Sequence, residues 1–381
     1  MNKDLEINRK KMIRICHVTS VHPTFDTRIF HKECRSLAKK YEVFLVVANA
    51  KDEERDGVHI VGVPLAKSRI KRILSASKME SKLITINASV YHFHDPELLP
   101  VGIKMKKLGK KIVFDSHEDI PMQLLTKEWI PQLLRKPLSR IYALYEKRIM
   151  RQYNALITVT PTITERLKQI NHNTYQITNF PEYKEFSDNR SWDRKVCFTG
   201  GVDSRYMHET ILKSLDNIDV KYILAGPLDS PTYLKKLEQL PSWEKVDYKG
   251  VLSFEECIKL MQQSSAGLAL IGYTPNVGYK KGTLGVLKIF EYMMAGIPVI
   301  ATDSELWKEI VEGNNCGICV NPYDKDAIAN AINTLINDPV KCQEMGNNGK
   351  NAVRELYTWK SQEEVLFNLY QKITNNIKDS Q

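Results

Sequence analysis

Short apolar runs alternate along this chain with segments whose apolar residues recur every three or four positions. The runs at 12–20, 42–49, 58–63, 90–95, 111–117, 155–160 and 175–179 read as strands. So do those at 196–200, 220–226, 246–251, 267–271, 298–303 and 317–321. Helical periodicity predicts helices at 29–40 and 138–153 in the first set, and at 207–215, 254–262, 287–294 and 326–336 in the second. Strands that alternate with helices argue for parallel sheets, so the pattern predicts an α/β protein of two doubly wound domains.

The break between the sets falls at Asn179-Phe180-Pro181, where a strand runs into a proline turn and a polar stretch. This gives a domain over 1–180, a second over 181–357, and a last helix from 358 to the end at 381. Leu366, Leu369, Tyr370 and Ile373 line one face of that helix, and Ser361 with Glu364 suggest a capping box at its start.

Composition narrows the class. At 381 residues, 43% hydrophobic and 26% charged, the chain can build two cores and is not a disordered polyelectrolyte. No apolar run is long enough to cross a bilayer, and the basic start with Lys3, Arg9, Lys10 and Lys11 leads into no signal-peptide core. The expected location is therefore the cytoplasm. Seven scattered cysteines do not form a disulfide framework, and Cys316-Gly-Ile-Cys319 sits in an apolar run that reads as core. The net charge of +10 is divided unequally: residues 1–180 carry 32 Lys+Arg and 18 Asp+Glu, against 23 and 27 in the rest. Only the first half is suited to an anionic partner.

Ligands of open parallel sheets bind beyond the C-terminal ends of strands, so those ends hold the candidate chemistry. No G-x-G-x-x-G follows any strand, which speaks against a dinucleotide enzyme. After the first strand come Asp26 and Arg28. After the fourth, His92 and His94 share a strand face ahead of Asp95 and Glu97, but no third metal ligand appears at a recognisable spacing. After the fifth stands His117, suited to a hydroxyl or a phosphate oxygen. In the second half Gly200 and Gly201 would let backbone amides approach a phosphate, with Arg205 as a cation. The turn with Gly282, Thr283 and Gly285 opens a helix on which Lys288 and Glu291 stand three apart, a cation for phosphate and a carboxylate for hydroxyls. Asp324-Lys-Asp326 looks like a metal motif but begins a helix, so it reads as a cap.

Taken together, these residues resemble the family 4 glycosyltransferases of GT-B fold, the bacterial surface-polysaccharide type above all. The resemblance rests on His17-Val-Thr-Ser-Val-His-Pro, Asp26-Thr-Arg-Ile-Phe, His94-Asp-Pro-Glu-Leu98 and Asp115-x-His-Glu-Asp119. It continues in Leu224-Ala-Gly-Pro227, Lys288-Ile-Phe-Glu-Tyr-Met, Ala295-Gly-Ile-Pro-Val299 and Trp307-Lys-Glu-Ile-Val311. It implies two Rossmann-like domains facing across a cleft, with a final helix returning to the first. It also implies a retaining, metal-independent transfer of a hexose or N-acetylhexosamine from a nucleotide-diphosphate sugar. His117 and Glu291 map to the family's catalytic positions, and Arg205 and Lys288 to its diphosphate cations. Two positions depart from the pattern: Thr283 replaces a glutamate, and Gly201 an arginine.

The expected partners are a nucleotide-sugar donor on the second domain and a lipid-linked or glycan acceptor on the first, near Asp26, Arg28, His94 and Asp95. No cofactor and no nucleic acid are expected. A basic segment around 129–153, with Leu138, Ile141, Tyr145 and Ile149 in a stripe beside Arg140, Lys147 and Arg151, suggests peripheral binding to the inner face of the plasma membrane. The rival readings are a GT-B-type nucleotide-sugar epimerase or hydrolase, and a basic nucleic-acid-binding protein.

Overall fold

A computed structural model describes residues 12–64, 76–127, 129–274 and 277–378, so the basic start with Lys3, Arg9, Lys10 and Lys11 lies outside the described residues. Two compact units emerge. One runs up to Asn179 and takes the chain back from Lys360; the other is Phe180–Trp359. The boundary expected after 180 thus falls one residue earlier, and the one after 357 two residues later.

In the first unit the strands are β1 (Arg14–Thr19), β2 (Glu42–Ala48), β3 (Glu53–Arg55), β4 (Val58–Val63), β5 (Val90–Phe93), β6 (Lys111–Ser116), β7 (Ala155–Thr158) and β8 (Thr174–Gln176). Their order is β3-β4-β2-β1-β5-β6-β7-β8, parallel except for β3, which pairs antiparallel with β4. The sequence pattern misses β3 because all three of its residues are exposed and polar. The helix predicted at 29–40 is a wide π-helical turn, Ile29–Cys34, followed by Arg35–Ala38.

The second unit holds β9 (Lys195–Thr199), β10 (Lys221–Ala225), β11 (Val246–Gly250), β12 (Ala266–Ala269), β13 (Val299–Thr302) and β14 (Gly317–Val320). They form a parallel sheet in the order β11-β10-β9-β12-β13-β14. Successive residues of β9 feed opposite cores, Cys197 one and Val196 with Phe198 the other, as the period of two requires. The helix Pro339–Leu356 escapes prediction because Gly346 and Gly349 weaken its pattern. Glycine is needed there: a Cβ on Gly346 would lie 1.9 Å from the carbonyl oxygen of Gly296.

Three smaller expectations meet the structure directly. Asp324 caps its helix by accepting the amides of Asp326 and Ala327, each at 3.0 Å. Cys316 is buried and Cys319 half-buried, both free, at and within β14. The last helix, Trp359–Lys378, starts two residues before Ser361, so Ser361 lies inside its first turn rather than at the cap position.

Each sheet has a switch point where successive crossovers depart in opposite directions, between β1 and β5 in the first and between β9 and β12 in the second. Crevices open beyond the strand ends at such points.

Candidate active site

At the first switch point the tips of β1, β5 and β6 present Thr19, His94 with Asp95, and Asp115 to His117. All but Thr19 border a cavity of about 530 Å³. Its polar side includes His22, His94, Asp95, Glu97, Asp115 and His117. Its apolar side includes Phe114, Ile120, Leu124, Trp129 and Tyr142. Of the expected acceptor-side residues, His94 and Asp95 line it, as does His117, expected to be catalytic, whereas Asp26 and Arg28 do not.

Asp26 and Arg28 act below the surface. Asp26 accepts the amides of Arg28 and Ile29 at 2.8 and 2.9 Å, capping the π-helical turn. Burial opposes its charge, yet His22 and those amides hold its carboxyl well below the ordinary range. Arg28 is 4% exposed rather than solvated, and its Nε donates to Asp115 Oδ2 at 2.8 Å. Its Nη1 donates to the carbonyl of Ile177 at 2.8 Å, and Nη2 faces Glu33 Oε1 at 3.1 Å. Burial disfavours an Asp115 carboxylate, but Arg28 and His117 reverse this and keep it ionised. The same Oδ2 lies 3.0 Å from His117 Nε2, so a buried ion pair orients the one imidazole at the cavity wall that the fifth predicted strand supplies.

Asp95 is equally fixed. Its Oδ2 accepts the Thr19 hydroxyl at 2.8 Å and the Ser20 amide at 2.6 Å. Burial works against charge on His22, but Asp26 and Asp95 raise its pKa above the ordinary imidazole value. Sequence reasoning passed over Asp115, Glu33, His22 and Trp129 as site residues. Asp115 and His22 stand in the sequence only within the quoted motifs; a further signal for Asp115 is a carboxylate following the apolar run Ile112–Phe114 of its strand.

At the second switch point β9 ends in Gly200, with φ of +136°, and Gly201. The Lys288 ammonium fills the space a side chain on Gly200 would need; a Cβ there would lie 3.2 Å from Nζ. Lys288 is 8% exposed and its Nζ stands 3.9 Å from the ring centre of Tyr206 and 4.9 Å from that of Phe198. Among the described residues no carboxylate lies within ion-pair distance of it. Glycine gap and buried cation therefore meet, as the sequence suggests, and Tyr206 and Phe198 are the partners it did not reveal.

Arg205 is placed differently from expectation. Its side chain is 67% exposed, and Asp203 holds it at both ends, Nε to Oδ1 at 2.9 Å and Nη2 to Oδ2 at 2.7 Å. Glu291 is half-buried on the helix Lys288–Ala295, near Cys257, whose thiol pKa is raised by burial and then by Glu291. Gly282, with φ of +87°, packs where a Cβ would come 2.4 Å from Ser304 Oγ. Thr283 donates no charge in place of the family glutamate; its carbonyl accepts the Trp307 indole at 2.7 Å and its Oγ1 the Gly285 amide at 3.1 Å.

Sequence models of two families match the chain: "Glycosyltransferase Family 4" over residues 27–179 and "Glycosyl transferases group 1" over 179–352. The MMP alpha-(1->4)-mannosyltransferase of Mycolicibacterium hassiacum is 25% identical over 297 residues, 73% of this chain and 70% of that protein. The chain spans 58% of the length of another curated relative and 23% of a third. The sucrose-phosphate synthase structure from Thermosynechococcus elongatus superposes with a TM-score of 0.75 at 16% identity, covering 96% of this chain and all of that one. Anabaena HepE in complex with UDP-glucose gives 0.69 at 16% identity, with 94% and 100% covered. At these identities the likeness to solved structures is one of fold.

Proposed function

This chain belongs to the family 4 glycosyltransferases of GT-B architecture, and on that premise we propose that it transfers a hexose or N-acetylhexosamine, with retention and without metal, from a nucleotide-diphosphate sugar. The acceptor we assign is a lipid-linked glycan of bacterial surface-polysaccharide synthesis. One observation carries the donor reading: a buried ammonium, Lys288, beside the glycine gap at a sheet switch point. Breaking the sugar–phosphate bond leaves negative charge on the diphosphate, and a preorganised cation in a dry site stabilises that charge. Arg205, already neutralised by Asp203, contributes less. Glu291 is assigned to donor hydroxyls, and His117 with Asp95 to sugar hydroxyls in the first unit's cavity.

The helix Gln132–Met150 supports the lipid-linked acceptor. Leu133, Leu134, Leu138, Ile141, Leu144 and Tyr145 are exposed on it, Leu133 at 91%, and Trp129 precedes it at 70%. Lys136, Arg140 and Lys147 flank this face, also exposed. Of the stripe expected from sequence, only Ile149 is buried. Tyr142 and Glu146 of the same helix line the cavity, which would bring a membrane-borne acceptor to His117.

The test offers UDP-, GDP- and dTDP-sugars with a short-chain polyprenyl-diphosphate glycan and follows products by mass spectrometry. Sugar added to the lipid-linked glycan is expected. Free altered nucleotide sugar alone, with no acceptor product from any donor, would replace this reading with an epimerase or hydrolase.

A further inference from the structure

Below the cavity, His17 on β1 and His92 on β5 are direct cross-strand neighbours, and His94 follows on the same face. Glu33, on the π-helical turn, packs against them, and all four residues are buried. Three of their atoms form a compact triangle: His17 Nδ1 to His94 Nε2 is 3.0 Å, His17 Nδ1 to Glu33 Oε2 is 3.8 Å, and His94 Nε2 to Glu33 Oε2 is 4.0 Å. A point equidistant from the corners of that triangle lies about 2.1 Å from each, which is the bond length zinc makes to imidazole nitrogen and carboxylate oxygen. His92 brings a fourth candidate atom within 4.8 Å of the others.

We propose that His17, His94, Glu33 and His92 hold a zinc ion inside the first unit. The site's hydrogen bonding points the same way. Among the described residues, neither oxygen of Glu33 receives a hydrogen bond, and His92 Nε2 has no partner. A buried carboxylate paired only at Oε1, with Arg28, and an imidazole nitrogen without a partner are costly to bury, and an ion between Oε2 and the imidazoles satisfies both. The outer contacts are those metal-bound groups use. His92 Nδ1 meets the Tyr370 hydroxyl at 2.9 Å, His94 Nδ1 faces Asp115 Oδ2 at 3.6 Å, and Glu33 Oε1 is ion-paired with Arg28. Burial lowers the pKa of all three histidines, which favours the neutral form that ligates. Burial also pushes Glu33 up despite Arg28, and an adjacent dication would restore its charge.

Such an ion would sit behind His94, whose ring borders the cavity, and is assigned no part in bond breaking. It would tie β1 to β5 and the π-helical turn. It would also fix the His94 tautomer, so that Nδ1–H faces the carboxylate that orients His117. Because its ligands are buried, brief exposure to chelator leaves it in place, and transfer continues in EDTA.

The test measures metal in the purified full chain. Elemental analysis should find one zinc per chain after dialysis against EDTA, and zinc-edge X-ray absorption should find a four-coordinate shell rich in imidazole. Protein unfolded with chelator and refolded with Co(II) should acquire the visible bands of a tetrahedral site. Refolding without metal should lower the Tm. His92→Gln and Glu33→Gln should each weaken zinc binding about tenfold or more. Substoichiometric zinc together with no cobalt spectrum and no metal-dependent Tm would overturn the proposal. So would an oxygen-rich six-coordinate shell, or full zinc retention in both variants. The absorption and cobalt measurements use the unaltered chain, so they decide the matter even if a variant does not fold.

Discussion

Lys288 shows how one side chain becomes a candidate for charge stabilisation. A lysine this buried ordinarily needs a carboxylate. Here two aromatic faces hold it beside a glycine, so its charge remains directed at the space beyond β9. Lys288→Ala is expected to lower kcat/KM for the donor by about 10²–10³-fold. Arg205→Ala, which removes a largely exposed pair with Asp203, should cost less than tenfold. Steady-state kinetics of both variants, with circular dichroism to confirm folding, would reverse the assignment if Arg205→Ala proved the more damaging. Asp115 is the corresponding residue of the first unit. Asp115→Asn removes the closest charge partner of the buried Arg28, leaving it Glu33 and the Ile177 carbonyl, and lets the His117 ring turn; unfolding free energy should fall by about 3 kcal/mol. Denaturant titration showing no loss would mean that Arg28 finds a substitute acceptor.

Among the elements, the helix Gln132–Met150 departs furthest from what a globular protein leaves in water. A scattered exposed leucine is ordinary, but a contiguous apolar face edged with cations marks an interaction surface. Each leucine or isoleucine that enters a bilayer adds about 1.5–3 kcal/mol, and each nearby cation about 1 kcal/mol. Ile141→Glu combined with Leu144→Glu should therefore abolish co-sedimentation with anionic vesicles while leaving the Tm within about 2 °C, since both side chains are exposed. Wild-type recovery in the pellet should fall as salt rises. Equal recovery of the two proteins at low salt would remove the membrane from the acceptor reading. Pro137 interrupts this helix in its second turn without ending it, which the predicted start at 138 reflects.

For the whole molecule, the buried histidines set a pH limit. His94 is held down at about 4 by burial, against Asp115, and His17 and His92 are lowered too. The folded chain keeps these rings neutral, whereas the unfolded chain protonates them near their ordinary value of 6.5. Their contribution to stability is complete above about pH 6.5 and is lost as the pH falls toward about 4. His22 acts with the opposite sign, stabilising below 6.5 and losing that contribution as the pH rises through its raised value. With His208, also lowered by burial, four depressed rings outweigh one raised ring, so the Tm should drop steadily from pH 7 to 4.5. A flat profile across that range would show that the histidines are not held neutral.

The sequence by itself determined the alternation of strands and helices, nearly every strand's position, and the division near Asn179. These follow from period and punctuation, which are local properties. It also marked Lys288, Gly200, His94, Asp95 and His117, because parallel sheets present ligands at strand ends and the residue types there are readable. What it did not determine depends on which segments become neighbours. Arg28 reads as a solvated side chain until β1 and β6 lie two strands apart, with Asp115 and Glu33 at its guanidinium. The His92–His94 pair shows no third ligand at a recognisable spacing because the groups that meet it, His17 on β1 and Glu33 on the π-helical turn, are distant in sequence. The apolar stripe on Gln132–Met150 has the same period whether it faces a core or a bilayer. Only the packing decides, and it buries Ser139, Glu146, Ile149 and Met150 while leaving the leucines outside.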